Sequence, residues 1–371
     1  MQKKSTSLAT VILFCGMLGA MLIWFLAAPP RDFSPNENRY LSQRPKFSVS
    51  ALFSGKLSRS YEEYLSDQFP LRDQWIVMQA AMQRGTGRLE NNEVYFGKQL
   101  VRTFWQYDSA NLTRNLKTIE GFAAKADFPV CAVPVPNACE ICRDALPSAA
   151  PDQSQEKMLA DMSNLMQTAQ LVDTRQMLLD AADTPLYYAT DHHMTTAGAY
   201  LVYTALADAM GLTPLPESAY TKTVVSDSFT GSLYRRSGAW WTTPDTIERW
   251  DAPDVTATLE VLPAGDMHDT VYNDSALDGT DQYAYFAYGN QPLEVVRTNA
   301  DGGKLLLIKD SYANAVMPFL CAHFSEIHIV DLRYYHSSLQ QYIQENDFDS
   351  AAILYNISNL TEDMNLPQIM R

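Results

Sequence analysis

The first hydrophobic feature of the chain is an uncharged apolar run from Leu8 to Ala28. Its 21 residues are enough, at about 1.5 Å per residue in a helix, to cross the roughly 30 Å hydrocarbon core of a bilayer. Lys3 and Lys4 precede the run, and the positive-inside tendency therefore leaves the N-terminus in the cytoplasm. We predict a single-pass membrane anchor with the main domain outside the cell.

The alternative interpretation of this run is a cleaved signal peptide. Leu26 stands where such a peptide usually has a small residue, and Pro29 and Pro30 follow Ala28 directly. The sequence therefore favours an anchor that is not cleaved.

From about residue 110 the pattern alternates between amphipathic helical segments and short apolar strands. Strands that are buried on both faces of a parallel sheet have this apolar character, and helices cover the sheet between them. The predicted fold is therefore α/β, with a parallel sheet covered on both faces. The predicted helices are 111–125, 155–167 and 196–210, and the predicted strands are 128–135, 170–172, 305–308, 327–330 and 351–355.

Other segments depart from this alternation. Residues 29–50 contain four prolines and read as a linker, whereas residues 57–82 have a helical pattern broken at 69–73. Residues 94–97 predict a short strand and a turn. Residues 213–300 are rich in Trp and Tyr with scattered Gly, Pro and Asp, which indicates an insertion of loops and antiparallel strands.

These segments predict three parts. Residues 1–28 form the cytoplasmic tip and anchor, and residues 29–108 form a linker and an N-terminal helical segment. Residues 109–371 form the α/β domain, with the insertion at about 213–300.

The charge balance restricts the partners of this domain. The chain has 28 basic and 43 acidic side chains, a net charge of −15. Nucleic acid requires a basic surface, so we expect no nucleic-acid partner.

The cysteines fit an extracellular domain. Cys139 and Cys142 form a Cys-x-x-Cys pair, which without a second pair is a weak signal for zinc. Because disulfides persist outside the cell, a local Cys139–Cys142 disulfide is the simpler interpretation.

Two polar constellations precede helical segments. Asp191-His192-His193 lies before the predicted helix 196–210, and Asp310-Ser311 follows the strand 305–308. Functional groups of parallel sheets lie at the carboxyl ends of strands, and a serine that opens a helix also has backbone N–H groups nearby to stabilise an oxyanion.

A serine hydroxyl needs a base to become a nucleophile. In an extended stretch, residues two apart point to the same side, so Asp191 can orient the ring of His193. The carboxylate then fixes the tautomer and leaves Nε2 free to accept the Ser311 proton. The candidate catalytic residues are Ser311, His193 and Asp191.

Structural interpretations of the same residues remain open. Asp-Ser before a helix is often an N-cap, and Asp191 with Thr195 can cap the helix that follows. His192 is interpreted as a core residue. Asp-His-His offers three metal ligands, but adjacent histidines on an extended chain point in opposite directions, so we expect neither a metal nor another cofactor.

Further short motifs follow one another along the chain. They are Glu37-Asn38-Arg39, Asp67-Gln68-Phe69-Pro70-Leu71-Arg72-Asp73, Val94-Tyr95-Phe96-Gly97-Lys98, Thr190-Asp191-His192-His193, Phe229-Thr230-Gly231, Lys309-Asp310-Ser311-Tyr312 and Asp331-Leu332-Arg333-Tyr334-Tyr335. Together they resemble the DHHW proteins of Gram-positive bacteria, which are related to the SGNH-hydrolase-like domains of alginate O-acetylation proteins. The resemblance covers most of the chain after the apolar run. In place of the family's tryptophan after the second histidine, this chain has Met194.

The resemblance implies an SGNH-hydrolase-like α/β/α sandwich in which Asp-x-His precedes the nucleophilic serine. Asp191 then orients His193, His193 acts as the base, and Ser311 attacks an acyl carbonyl. The Ser311 N–H would contribute to the oxyanion hole, with Asn137 as a helper, although an Asn that caps a turn is the ordinary alternative. Arg333, in the last motif, is a predicted substrate-binding residue.

The implied activity is that of an O-acetyltransferase or acetylesterase. Its implied substrate is an exported cell-envelope polysaccharide, and its implied partner is a membrane-bound O-acyltransferase. The rival is a non-catalytic surface protein that binds glycan or scaffolds an export complex, since a fold alone does not define an activity. The distance between Ser311 Oγ and His193 Nε2 discriminates between them.

Overall fold

The computed structural model describes residues 2–34, 39–104 and 106–371. Glu37 and Asn38 of the first motif lie outside these residues. The chain divides into two compact units, one formed by Met1–Arg88 with Arg235–Trp240 and the other by Leu89–Tyr234 with Trp241–Arg371.

The first unit begins with a long apolar helix. Its elements are α1 Gln2–Ala27, β1 Phe33–Ser34, β2 Arg39–Tyr40, α2 Val49–Phe53, α3 Lys56–Asp67 and α4 Arg72–Gly85. Within α1, Leu8–Ala27 is long and apolar enough to cross a membrane and is not buried inside the structure, a property that signal sequences share. The predicted break near Pro70 separates α3 from α4, where Leu71 has a φ of 55°.

The second unit contains the α/β fold. Its helices are α5 Ser109–Ala123, α6 Ala138–Ile141, α7 Glu156–Leu165, α8 Arg175–Asp180, α9 Thr196–Ala209, α11 Ala313–Leu320, α12 Leu339–Glu345 and α13 Ile357–Glu362, while α10 Ser232–Ser237 belongs to both units. Its strands are β3 Glu90–Asn91, β4 Val94–Phe96, β5 Leu100–Arg102, β6 Val130–Val135, β7 Gln170–Leu171, β8 Thr221–Phe229, β9 Asp245–Asp251, β10 Ala257–Leu262, β11 Asp266–His268, β12 Leu293–Thr298, β13 Lys304–Lys309, β14 Glu326–Val330 and β15 Ser350–Asn356. Short 3-10 helices cover Arg143–Ala145, Glu217–Ala219, Asp274–Asp278, Gln282–Tyr285 and Leu366–Met370.

The largest sheet of the described residues has the strand order β11-β10-β12-β14-β13-β15-β6-β7. Neighbours from β14 to β7 are parallel, as the sequence predicts. The strands β12, β10 and β11 add antiparallel pairs at one side. The sheet is therefore mixed and mostly parallel, because strands from the 213–300 segment join it.

Helices cover both faces of this sheet and form two cores. On one face, α9 and α11 pack against side chains such as Leu305 and Leu307. On the other, α5, α7 and α13 pack against Leu306, Ile308 and Ile353. Adjacent residues of a strand point to opposite faces, so the continuous apolar run in β13 supplies both cores. The three-layer α/β/α arrangement is confirmed.

The cysteine prediction is wrong. Cys139 and Cys142 are both free thiols, and Cys139 lies within α6 while Cys142 ends it. Residues three apart on a helix have Cβ atoms about 5–6 Å apart, beyond the roughly 3.8 Å that a disulfide needs. The Cys139 thiol instead lies 3.9 Å from Gln155 Nε2, and burial raises the pKa of Cys139.

Candidate active site

The carboxyl ends of neighbouring parallel strands bring the polar residues together. Ser311 follows β13, Arg333 follows β14 and Asn137 follows β6. Asn356 is the last residue of β15, which lies between β13 and β6 in the sheet. This edge is where parallel sheets place their functional groups.

Ser311, His193 and Asp191 form a continuous hydrogen-bonded chain. His193 Nε2 lies 2.8 Å from Ser311 Oγ, and His193 Nδ1 lies 2.5 Å from Asp191 Oδ1. Ser311 and His193 are each 7% exposed and Asp191 is 3% exposed. The Ser311 hydroxyl therefore forms a hydrogen bond with the histidine. It does not cap a helix, because the N-cap of α11 is Tyr312.

The Asp191–His193 contact arises from a turn. Asp191 Oδ1 accepts a hydrogen bond from the backbone N–H of His193 at 2.9 Å as well as from the ring, the local pattern of an Asx turn. Thr195 caps α9 through its contact with the Gly198 N–H, as predicted for that residue.

Asp191 is held as an anion. Burial alone would raise the pKa of Asp191, but the His192 and His193 rings and the Ser232 N–H outweigh burial and hold that pKa well below its usual range. The Ser232 N–H donates to Asp191 Oδ2 at 2.6 Å. Gly231 permits this approach, because a Cβ at that position would lie 2.2 Å from Asp191 Cβ.

A second carboxylate fixes the strand-like residues before Asp191. Asp245 accepts hydrogen bonds from the backbone N–H groups of Ala189 and Thr190, each at 2.8 Å, and from the Thr190 hydroxyl at 2.5 Å. The Gly231 N–H in turn donates to Thr190 Oγ1. The Asp-x-His turn is thus attached to β9 through Asp245.

Asp310 fixes the other side of the triad. Its Oδ1 accepts from the Tyr312 N–H, and its Oδ2 accepts from the backbone N–H and side-chain amide of Asn356 and from the Asn359 amide, all at 2.7–2.9 Å. Burial raises the pKa of Asp310, whereas these N–H donors act in the opposite direction. The residue before Ser311 is therefore joined to the ends of β15 and α13.

Two tyrosines contact the triad and the residue beside it. The ring of Tyr283 stacks on His193, and its hydroxyl donates to the Ser311 carbonyl at 3.1 Å. The Tyr312 hydroxyl donates to the His192 carbonyl at 2.5 Å. Sequence reasoning missed Tyr283, Asn356, Asn359 and Asp245, because only the folded chain places them beside the triad.

The prediction for His192 is wrong. Its side chain is 42% exposed, with Nδ1 2.8 Å from Ser232 Oγ, so it is not a core residue. The two histidine rings also lie side by side, with centroids 3.9 Å apart, because the segment turns instead of extending. Asp191, His192 and His193 form a compact group of potential metal ligands, yet both His193 nitrogens are already bonded to Asp191 and Ser311.

The predicted substrate-binding residues lie at the same edge of the sheet. Asn137 Oδ1 accepts from Gln155 and Ser358, and its Nδ2 donates to Asn356 at 3.2 Å. Arg333 forms a bidentate ion pair with Asp331, with Nη2 2.6 Å from Oδ2, and keeps 30% of its side chain exposed.

The backbone N–H of Ser311 differs in its hydrogen bonding from the N–H groups of the residues that follow it. The N–H groups of Tyr312, Ala313 and Asn314 are bonded to Asp310 or to the Ser311 carbonyl. Within the described residues, no hydrogen bond is made by the Ser311 N–H itself. A backbone N–H at a strand–helix junction that is not used in another hydrogen bond can donate to a developing negative charge and stabilise it.

Solved structures of other proteins are similar to this chain. A DHHW family protein from Eubacterium siraeum has 21% identity and a TM-score of 0.65, over 76% of this chain and 96% of that one. PatB1 of Bacillus cereus, solved with a sulfonyl adduct, has 21% identity and a TM-score of 0.61, over 72% and 95%. The O-acetyltransferase domain of Pseudomonas putida AlgJ is a looser match, with 14% identity and a TM-score of 0.45, over 73% and 92%.

No curated protein matches the sequence. The sequence profile of the DHHW protein family matches residues 117–330, more than half of the chain, and includes Asp191, His193 and Ser311. The chain therefore belongs to the DHHW protein family.

Proposed function

We propose that this protein is an O-acetyltransferase or acetylesterase of the cell envelope and acts through an acyl-serine. The observation that carries the proposal is the 2.8 Å contact between His193 Nε2 and Ser311 Oγ, with Asp191 on the other ring nitrogen. This is the geometry that a general base needs to activate a serine.

In the first half of the reaction, Ser311 Oγ attacks the carbonyl carbon of an acetyl donor while its proton passes to His193 Nε2. The bond from that carbon to the donor's alkoxy oxygen then breaks, the leaving alcohol takes the proton from His193, and an acetyl-serine remains. Asp191 stabilises the imidazolium that forms and stays ionised, consistent with its lowered pKa. The Ser311 N–H donates to the developing oxyanion. Asn137 serves as the second donor, since the 3.2 Å hydrogen bond from its Nδ2 to Asn356 can be exchanged for one to the substrate.

In the second half, a hydroxyl group of the acceptor attacks the acetyl-serine. His193 takes the proton of that hydroxyl and the proton then returns to Ser311 as its Oγ leaves. A sugar hydroxyl as acceptor gives transfer, and water gives hydrolysis. Arg333 keeps 30% of its side chain exposed near this edge and is proposed to contact the substrate.

The proposed substrate is an exported cell-envelope polysaccharide. The resemblance to alginate O-acetylation proteins supports this, as does α1, which is long and apolar enough to serve as a membrane anchor or an export signal for the catalytic unit. The same resemblance implies a membrane-bound O-acyltransferase that supplies acetyl groups. PatB1 has been solved with a sulfonyl adduct, and sulfonyl reagents are therefore suitable probes here.

The test is turnover of an activated acetyl ester by the full-length protein in detergent, with and without acetyl-free polysaccharide as acceptor. Ser311→Ala and His193→Ala are compared with Ser275→Ala, an exposed serine of the same unit. The proposal requires turnover that both triad variants lose and Ser275→Ala keeps. A folded protein that neither turns over the ester nor reacts with a sulfonyl fluoride would instead have the binding or scaffolding role.

A further inference from the structure

The segment that follows α1 in the first unit has a charge opposite to that of the whole chain. Between Arg39 and Tyr61 the sequence contains five basic residues and no Asp or Glu, whereas the chain carries a net charge of −15. Four of these cations, Arg44, Lys46, Lys56 and Arg59, are exposed. Within the described residues, none of the four side chains forms an ion pair.

A groove lies among these cations. It has a volume of about 560 Å³ and is formed by α2, the start of α3 and the residues before them. Lys46 and Lys56 line it, together with the hydroxyl-bearing residues Ser48, Ser50, Ser54 and Ser60. Two ammonium groups and several hydroxyls in one concavity suit a phosphate-bearing group.

Apolar side chains that alternate in sequence with the residues lining this groove are exposed. Phe47 is 70% exposed, Val49 61%, Leu52 48% and Phe53 86%. Exposed aromatic and aliphatic side chains beside lysines are typical of segments that lie in the interface of a membrane. A soluble anionic polymer would use the cations but would leave these apolar groups in water.

The first unit places this surface next to the apolar helix. Phe25, near the end of α1, contacts Tyr64 of α3, with ring centroids 5.8 Å apart. Lys56 precedes Tyr64 by eight residues on α3, which corresponds to about 12 Å along the helix. The groove thus lies about two turns along α3 from the tyrosine that contacts the end of the segment long enough to cross the bilayer.

We propose that residues 44–59 form a docking surface for anionic phospholipids. Lys46 and Lys56 would hold the headgroup phosphate, and Phe47, Val49 and Phe53 would enter the acyl region. Docking would fix the first unit on the outer face of the membrane. This proposal does not depend on acyl transfer.

The test is hydrogen exchange of the full-length protein in nanodiscs of phosphatidylcholine, with or without phosphatidylglycerol. Amides 47–53 are expected to exchange about tenfold more slowly when the anionic lipid is present, because each lysine near an anionic surface adds attraction. Lys46→Glu with Lys56→Glu should abolish the difference, and Phe47→Ser with Phe53→Ser should reduce it. Lys117→Glu with Lys125→Glu, the same change in net charge in the second unit, should leave it intact.

Equal exchange in the two kinds of nanodisc would overturn the proposal. So would full protection in the Phe47→Ser, Phe53→Ser variant, since the acyl contact would then be absent. Equal protection by a soluble polyanion in neutral nanodiscs would also contradict it and would assign the surface to a polymer.

Discussion

Tyr283 lies flat against His193, with ring centroids 3.7 Å apart and planes 7° from parallel. The same tyrosine donates its hydroxyl proton to the carbonyl of Ser311. One buried side chain therefore fixes the plane of the imidazole and the backbone of the serine to which that imidazole is bonded.

Two substitutions separate these roles of Tyr283. Tyr283→Phe keeps the stacked ring and loses one hydrogen bond, so kcat should fall only about threefold to tenfold. Tyr283→Leu loses the stacking and should lower kcat about a hundredfold, because small displacements of catalytic groups are costly. KM should change little in both. The control is Tyr285→Phe. The ring of Tyr285 stacks on Tyr272, and this substitution should leave kcat unchanged.

Asp191→Asn tests the carboxylate of the triad. The amide is similar in size but has no negative charge and does not enforce the tautomer that leaves Nε2 as the acceptor. We expect kcat for ester turnover to fall about ten-thousand-fold with the fold intact. A loss below about tenfold would contradict the proposed role of Asp191.

The same carboxylate predicts a dependence of stability on pH. The pKa of Asp191 is lower in the folded chain than in the unfolded chain, where it is about 3.9. The contribution of Asp191 to the free energy of unfolding is therefore complete above that unfolded pKa and is lost as the pH falls below it. The apparent Tm difference between wild type and Asp191→Asn should be constant from about pH 5 to 7 and should shrink below about pH 4. Thermal unfolding followed by circular dichroism measures it.

Gly231→Ala should impair catalysis through a contact with Asp191. The new Cβ would lie 2.4 Å from Asp191 Oδ2, so the carboxylate or the glycine backbone must move. A displacement of this size should cost kcat about a hundredfold. Gly121→Ala, where the nearest atom is 4.0 Å away at the end of the Met370 side chain, is the matched control and should retain activity. Full activity in Gly231→Ala would show that Asp191 tolerates movement.

Glu294, in strand β12 of the large sheet, predicts a second dependence of stability on pH. Both of its carboxyl oxygens are buried without a hydrogen-bond partner, and burial raises the pKa of Glu294 to about 8. The folded state therefore keeps a proton that the unfolded state releases at about pH 4.3, and stability should decline as pH rises from about 4.3 to about 8. Glu294→Gln should flatten that decline, whereas Glu362→Gln, at an exposed site, should not. The apparent Tm at pH 5, 7 and 8.5 distinguishes the two variants.

The sequence predicts the parts of the fold and site that have local signals. The apolar runs 305–308, 327–330 and 351–355 correspond to β13, β14 and β15, and the broken helical pattern at 57–82 corresponds to α3 and α4. Asp191, His193 and Ser311 can be selected because each constellation adjoins a predicted helix.

Other features depend on tertiary contacts that the sequence pattern does not carry. Asn356 and Asn359 look like ordinary loop polar residues, and only the strand order brings them to Asp310. The assumption that residues 190–193 are extended led to the correct Asp191–His193 pairing for the wrong geometric reason, and to the wrong orientation of His192. Turns formed by an Asp side chain leave little periodic signal.

The most direct test of the central claim is formation of an acetyl-serine on the full-length protein. The protein is treated with an activated acetyl ester, quenched in acid and analysed by peptide mass spectrometry, beside Ser311→Ala and His193→Ala. We predict one acetyl group on Ser311 in the wild type and none at this site in either variant. A folded wild-type protein without an adduct and without turnover, or an adduct on Ser311 that forms equally well without His193, would contradict the account.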